Sequence, residues 1–170
     1  MPALDLILLA PHGSSLRSLL AEGAGHERAG YMLFGIADIA RDPWQGVSRR
    51  RFISHTFEPV SKSDQVSESA RHVTWQTDGF MSLLSQAMRA GMVPGIVHTH
   101  PAGVAAFSEQ DDTNEAELAR TAKLKGLPGL LSLVIAGNGD IAVRYWQSES
   151  KKTDIARILQ SGPNLSLQDC

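Results

Sequence analysis

Short apolar runs alternate along this chain with stretches whose apolar residues recur every three to four positions, and Gly or Pro punctuates the joins. Strands half or fully buried in a sheet produce the first pattern, and amphipathic helices produce the second. The alternation therefore predicts an α+β (α/β-like) fold: one domain in which helices flank a mixed, mostly antiparallel sheet. With 170 residues, the chain is long enough to bury a core without covalent staples. Hydrophobic residues at 42% and charged residues at 20% exclude a disordered or fibrous class.

Residues 4–9 read as a short strand. Residues 14–22 place Leu16, Leu19 and Leu20 on one helical face, and Gly23 and Gly25 end that helix. Residues 29–39 and 51–60 are rich in β-branched and aromatic side chains and read as neighbouring strands, joined by turn material at Asp42, Pro43 and Gly46. Arg49, Arg50 and Arg51 then form a basic run read as a solvated loop beside a strand. Residues 72–75 continue the sheet.

Phe80, Leu83, Leu84, Ala87 and Met88 follow the helical period up to Gly91. Residues 95–100 are too short and too continuous for another helix, and read as a buried strand broken by Pro101. A second long helix is expected over 108–125. Residues 131–136 and 141–146 flank Asn138 and Gly139, a two-residue hairpin signal. The domain is expected to span 1–147, followed by a polar tail over 148–170 with a short helix at 154–160. Trp44, Trp75 and Trp146 are expected in core or edge packing.

The longest apolar runs fall well below the roughly 18 residues that cross a bilayer, and no charged leader precedes a cleavage site, so a cytoplasmic protein without membrane contact is expected. Cys170 is the only cysteine, which excludes an internal disulfide and a thiolate metal site. The net charge of -2 gives no general attraction to nucleic acid.

The chemistry concentrates around His98 and His100. Residues two apart on a strand share a face, so both imidazoles can reach one metal ion, while Thr99 points the other way. Asp111 lies in the first turn of the following helix and suits a third ligand. Two neutral nitrogens and a carboxylate leave a zinc ion one open position, the pattern of catalytic rather than structural zinc. Such a site also needs a carboxylate outside the ligand set to move the proton of the attacking water. Ser108 and Asp111 also match a capping box, a role compatible with catalysis.

These residues resemble the JAMM motif of the JAB/MPN metalloprotease family: His-(Ser/Thr)-His-Pro, seven residues counted from that Pro, then Ser-x-x-Asp. Here the chain reads His98, Thr99, His100 and Pro101, then Ser108, Glu109, Gln110 and Asp111. The resemblance runs from about Leu4 to Trp146 and implies a single cytidine-deaminase-like JAB domain of the stand-alone prokaryotic type. It also singles out Glu27 among Glu22, Asp38, Glu58 and Glu68, because Glu27, Arg28, Ala29 and Gly30 match the family's Glu-x-x-Gly before a strand. The next glycine, Gly35, falls one residue later than in the family, which bears on the local strand register.

By this resemblance His98, His100 and Asp111 bind one catalytic Zn2+, Glu27 is the general acid and base, and Ser108 stabilises the oxyanion. The implied reaction cleaves the peptide or isopeptide bond after the C-terminal Gly-Gly of a ubiquitin-like protein, in deconjugation or precursor processing. Residues after His55 or around Val73 are expected to offer the sheet edge for that tail. Two other readings stand beside it. A RadC-like, DNA-associated protein has a related signature, but carries Asn where Thr99 stands and adds a helix-hairpin-helix region. A non-catalytic MPN scaffold usually lacks ligands that this chain keeps. His12, His26, His55 and His72 have no place in the scheme, and His26 is read as structural because strand neighbours point apart.

Overall fold

The computed structural model describes residues 2–61, 77–162 and 166–169. In chain order the elements are β1 (Ala3–Leu9), α1 (Ala10–Glu22), β2 (Ala29–Ile39), β3 (Arg49–Pro59), α2 (Thr77–Ala90), β4 (Val93–His100), α3 (Glu109–Leu124), β5 (Leu130–Ala136), β6 (Ile141–Ser148), β7 (Lys151–Asp154), β8 (Arg157–Ser161) and β9 (Ser166–Asp169). One mixed sheet runs in the order β7-β6-β5-β4-β2-β3-β1-β8-β9. Its pairings are mostly antiparallel, the parallel ones being β1 with β3, β1 with β8, and β4 with β5. The α+β expectation is met.

This sheet is curled, and the chain itself proves it. β7 and β8 stand seven strand spacings apart in the order, which in a flat sheet is roughly 34 Å. Yet only Ile155 and Ala156 separate them in sequence, a link that spans about 11 Å at most. The two regions must therefore curl toward each other. The bond from Ile155 N–H to the Val143 carbonyl, 2.8 Å, ties the link to β6.

Curling creates two cores. The inner one holds Leu6, Leu8, Met32, Phe34, Phe52, Leu131, Leu133 and Ile158 around Leu16 and Leu19 of α1. The outer one packs Phe80, Leu83, Leu84 and Ala87 of α2 and Ala119 and Ala122 of α3 against Tyr31, Leu33, Ile96 and Trp146. Alternation along β4 sends Val97 inward and Ile96 outward. His98 and His100 thus belong to the outer face, where α3 lies.

Several expectations are corrected. Residues 154–160, read as a short helix, form the end of β7 and most of β8. Ile155 and Ile158 are fully buried, and two apolar residues three apart fit a helix face as well as they fit strands separated by a kink. Helix α1 starts at Ala10 rather than 14, because Pro11 is tolerated in its first turn. The β5–β6 turn is a three-residue loop: Gly139 N–H bonds to the Ala136 carbonyl at 2.9 Å, Gly139 takes φ 89°, and Ala136 N–H reaches Asp140.

The Arg49–Arg51 run belongs to β3 and is not a solvated loop. Arg49 lies buried against Asp5 at 2.6 Å, and Arg51 bridges Asp5 at 3.4 Å and Asp42 at 2.9 Å. Only Arg50 turns outward, to Asp38 at 2.7 Å. Trp44 is 78% exposed instead of packed, whereas Trp146 is buried as expected. The readings placed on Trp75, His72 and residues 72–75 lie outside the described residues. No helix among the described residues is long and apolar enough to cross a membrane.

Candidate metal centre

Glu27 reaches the site through strand register. Ala29 pairs with His98 across β2 and β4. The pairing continues one residue beyond β2, since Thr99 N–H donates to the Arg28 carbonyl and the Thr99 hydroxyl accepts from Arg28 N–H, both at 2.9 Å. Counting on, Glu27 falls opposite His100, and opposite residues of an antiparallel pair share a face. The Glu27 carboxylate accordingly lies 4.0 Å from His100 Nε2. Thr99, which the sequence leaves to packing or a hydrogen bond, is the clasp that holds this register.

The other ligand comes from α3. Ser108 caps the helix: its hydroxyl accepts from Asp111 N–H at 3.2 Å, and its own N–H donates to Asp111 Oδ2 at 2.7 Å. The Ser108 O–H also donates to Oδ2 at 2.7 Å. With Oδ2 held, Asp111 Oδ1 faces His98 Nε2 at 3.4 Å. Burial alone would push the Asp111 carboxyl up, but the His98 imidazole and the Ser108 N–H and O–H outweigh it and hold the group well below the usual carboxylate range.

One ligand atom each from His98, His100 and Asp111 lies within 4.8 Å of the others. His98 is 3% exposed and its Nε2 is buried without a hydrogen bond among the described residues, an orphan acceptor or donor of the kind a metal would satisfy. His100 Nδ1 lies 3.3 Å from the Val104 carbonyl. That contact suits an N–H at Nδ1 and leaves Nε2 as the lone-pair nitrogen facing Glu27 and the cluster. The donors therefore fit a divalent ion with nitrogen and oxygen preference. All five residues singled out from sequence are brought together on one patch.

The surrounding loop is tightly tethered. The His100 carbonyl accepts from Gly103 N–H at 3.3 Å and from Gly137 N–H at 3.1 Å. A Cβ on Gly137 would stand 2.1 Å from the Pro101 carbonyl oxygen, so only glycine lets the β5–β6 turn approach the Pro101 turn. Sequence reasoning missed Gly137 and the Val104 carbonyl. A backbone carbonyl leaves no mark in a sequence, and the close approach at Gly137 joins turns 36 residues apart.

A curled sheet enclosing α1, with two candidate ligands at the end of β4 and a third at the start of α3, defines a class of domain. The chain belongs to the family of prokaryotic homologs of the JAB domain, whose model matches residues 9–149. The solution structure of protein DSY2949 from Desulfitobacterium hafniense has a similar fold, with a TM-score of 0.58 and 17% identity over 92% of each chain. No curated protein matches the chain in sequence.

Proposed function

We propose that this chain is a zinc-dependent metallo(iso)peptidase that hydrolyses the bond following the C-terminal Gly-Gly of a ubiquitin-like protein. The observation that carries the reading is the convergence of three ligand atoms within 4.8 Å, with the Glu27 carboxylate 4.0 Å from His100 Nε2. Zinc held by His98, His100 and Asp111 would supply Lewis-acid polarisation of the carbonyl and an acidified water. Glu27 takes the proton of the attacking water and returns it to the leaving amine. Ser108 Oγ–H, now donating to Asp111 Oδ2, turns toward the developing oxyanion. Its backbone N–H stays on Oδ2, so Asp111 keeps a donor when the hydroxyl turns.

The edge of β3 favours an extended tail. β1 pairs with β3 only as far as Ile53, leaving residues 55–59 without a second strand among the described residues. Pro59 lies opposite Gly30, close in sequence to Glu27. A side-chain-free Gly-Gly segment can add there as a strand. The alternative edge around Val73 lies outside the described residues.

The test uses purified protein and fusions carrying a Gly-Gly junction to a ubiquitin-like domain. Wild type is expected to cut at the junction; chelator-treated protein and Glu27→Gln are expected to lose at least about 100-fold in kcat. Glu27→Gln should still bind zinc stoichiometrically. If it retains both zinc and wild-type cleavage, Glu27 is not the base, and if wild type cuts no junction, the substrate assignment fails.

A further inference from the structure

We propose that Arg144 and Phe107 together fix the His98 imidazole in its ligating orientation, with Arg144 a positioning residue that acts through the Phe107 ring. The inference rests on the metal-centre reading above. His100 is oriented by the Val104 carbonyl. His98 meets Asp111 at 3.4 Å and two aromatic neighbours, His100 at 4.9 Å and Phe107 at 6.4 Å, the latter edge-on at 67°. Phe107 immediately precedes Ser108, the cap of α3, so it joins the helix that carries Asp111 to the ring edge beside His98.

What holds Phe107 is a buried cation. The Arg144 guanidinium lies 3.7 Å from the centroid of its ring. Arg144 is 2% exposed, and its Nη2 is buried without a hydrogen-bond partner among the described residues. Desolvated N–H groups that lack an oxygen acceptor find their best remaining contact on the negative face of an aromatic ring. The cation cannot drift, because Nε donates to Glu115 Oε2 at 2.8 Å and Nη1 pairs with Asp112. Glu115 is pinned in turn by Ser132 Oγ at 2.7 Å and Trp146 Nε1 at 2.8 Å. A network from α3, β5 and β6 thus places the guanidinium over Phe107, with the Trp146 ring farther off at 5.1 Å, and the Phe107 ring sets an edge against which His98 packs.

Removing Arg144 outright would strand the Glu115 carboxylate in the core, so the ring is the better handle. Phe107→Leu keeps an apolar side chain but loses the quadrupole, Phe107→Tyr keeps the ring, and Arg144→Lys keeps a charge near Glu115 but loses the planar stack. Each is titrated with Co(II) alone, reading the dissociation constant against a competing chelator and the visible ligand-field bands; thermal unfolding of the metal-free protein is followed in parallel. We expect Phe107→Leu and Arg144→Lys to weaken Co(II) binding about tenfold and to alter the bands, with Phe107→Tyr within about twofold of wild type. Phe107→Leu with wild-type affinity and bands would overturn the proposal, and a lowered melting temperature in that variant would then mark the ring as structural only. Equal weakening in Phe107→Tyr would overturn it too. Wild type that binds no Co(II) refutes the metal-centre reading itself, a failure read before any variant is compared.

Discussion

At the scale of single residues, Ser108 caps α3 and is proposed to donate to the oxyanion, two roles that two measurements on one substitution can tell apart. As a helix cap it satisfies Asp111 N–H, and Ser108→Ala at such a position costs about 1 kcal/mol of stability. As an oxyanion donor, its loss lowers kcat by about 100- to 1,000-fold. Both effects are expected together, measured by urea unfolding and by junction cleavage; a stability loss with unchanged kcat would leave Ser108 as a cap alone. His12 makes a different prediction. Ser54 Oγ accepts from Leu9 N–H at 2.9 Å and lies 2.8 Å from His12 Nδ1, where its O–H can donate to a neutral ring that carries its proton on Nε2. Burial first, then the charge of His55, lowers the His12 pKa from its ordinary 6.5. A lowered histidine pKa favours folding of the neutral form, so this contribution is complete above 6.5 and disappears as pH falls through the folded value. The urea midpoint of wild type should drop between about pH 7.5 and pH 5, and His12→Gln should flatten that dependence. The His98, His100 and Asp111 cluster was legible in sequence because its chemistry depends on residue type at fixed spacing. The Ser54 bond to His12 was not, because 42 residues separate the partners.

At the scale of elements, the centre is assembled where three segments end: β4 at His100, α3 at its Ser108 cap, and the two residues before β2. The strand and the capped helix could be read from periodicity and from the Ser-x-x-Asp pattern. The register that brings Glu27 opposite His100 could not, since it depends on Thr99 clasping Arg28. The β2–β3 register does shift, between Leu33 and Phe34, with His55 as the extra residue on β3. This irregularity lies one residue before Gly35, where the sequence departs from the family pattern, and leaves the β2–β4 register that positions Glu27 unbroken. A fourth segment, the β5–β6 turn, presses on the Pro101 turn through Gly137. Because the atom that a Cβ would strike is backbone, at 2.1 Å, the strain of Gly137→Ala cannot be relieved by a rotamer change. Overpacking of this kind costs about 1–3 kcal/mol, and the shift should reach His100, whose carbonyl accepts from Gly137 N–H. We expect reduced metal affinity along with reduced stability. Gly139→Ala, strained by its φ of 89° but with open space around it, should lower stability while leaving metal binding intact.

At the scale of the whole molecule, the curl of the sheet is closed by the short strands that follow β6. Residues 151–161 alternate polar and apolar side chains too briefly for periodicity to decide their structure, and residues 154–160 fit a helix on composition alone. Topology decides instead: β6 needs a neighbour on one side and β1 needs one on the other, and β7 and β8 supply both within eleven residues. Ile155 and Ile158 then seal the inner core beside Leu6 and Leu8. Truncating a fully buried isoleucine costs about 2–5 kcal/mol, a large share of the roughly 5–15 kcal/mol that holds a domain together. Ile158→Ala is therefore expected to lower the urea midpoint sharply, whereas Leu124→Ala, on a side chain 77% exposed, should change stability by less than about 0.5 kcal/mol. If the curl is closed by these strands, Ile158→Ala should also increase hydrogen exchange in β1, its direct parallel partner, before it affects β4. Equal protection of β1 in wild type and variant would mean that β8 is an appendage and that the sheet holds its curvature without it.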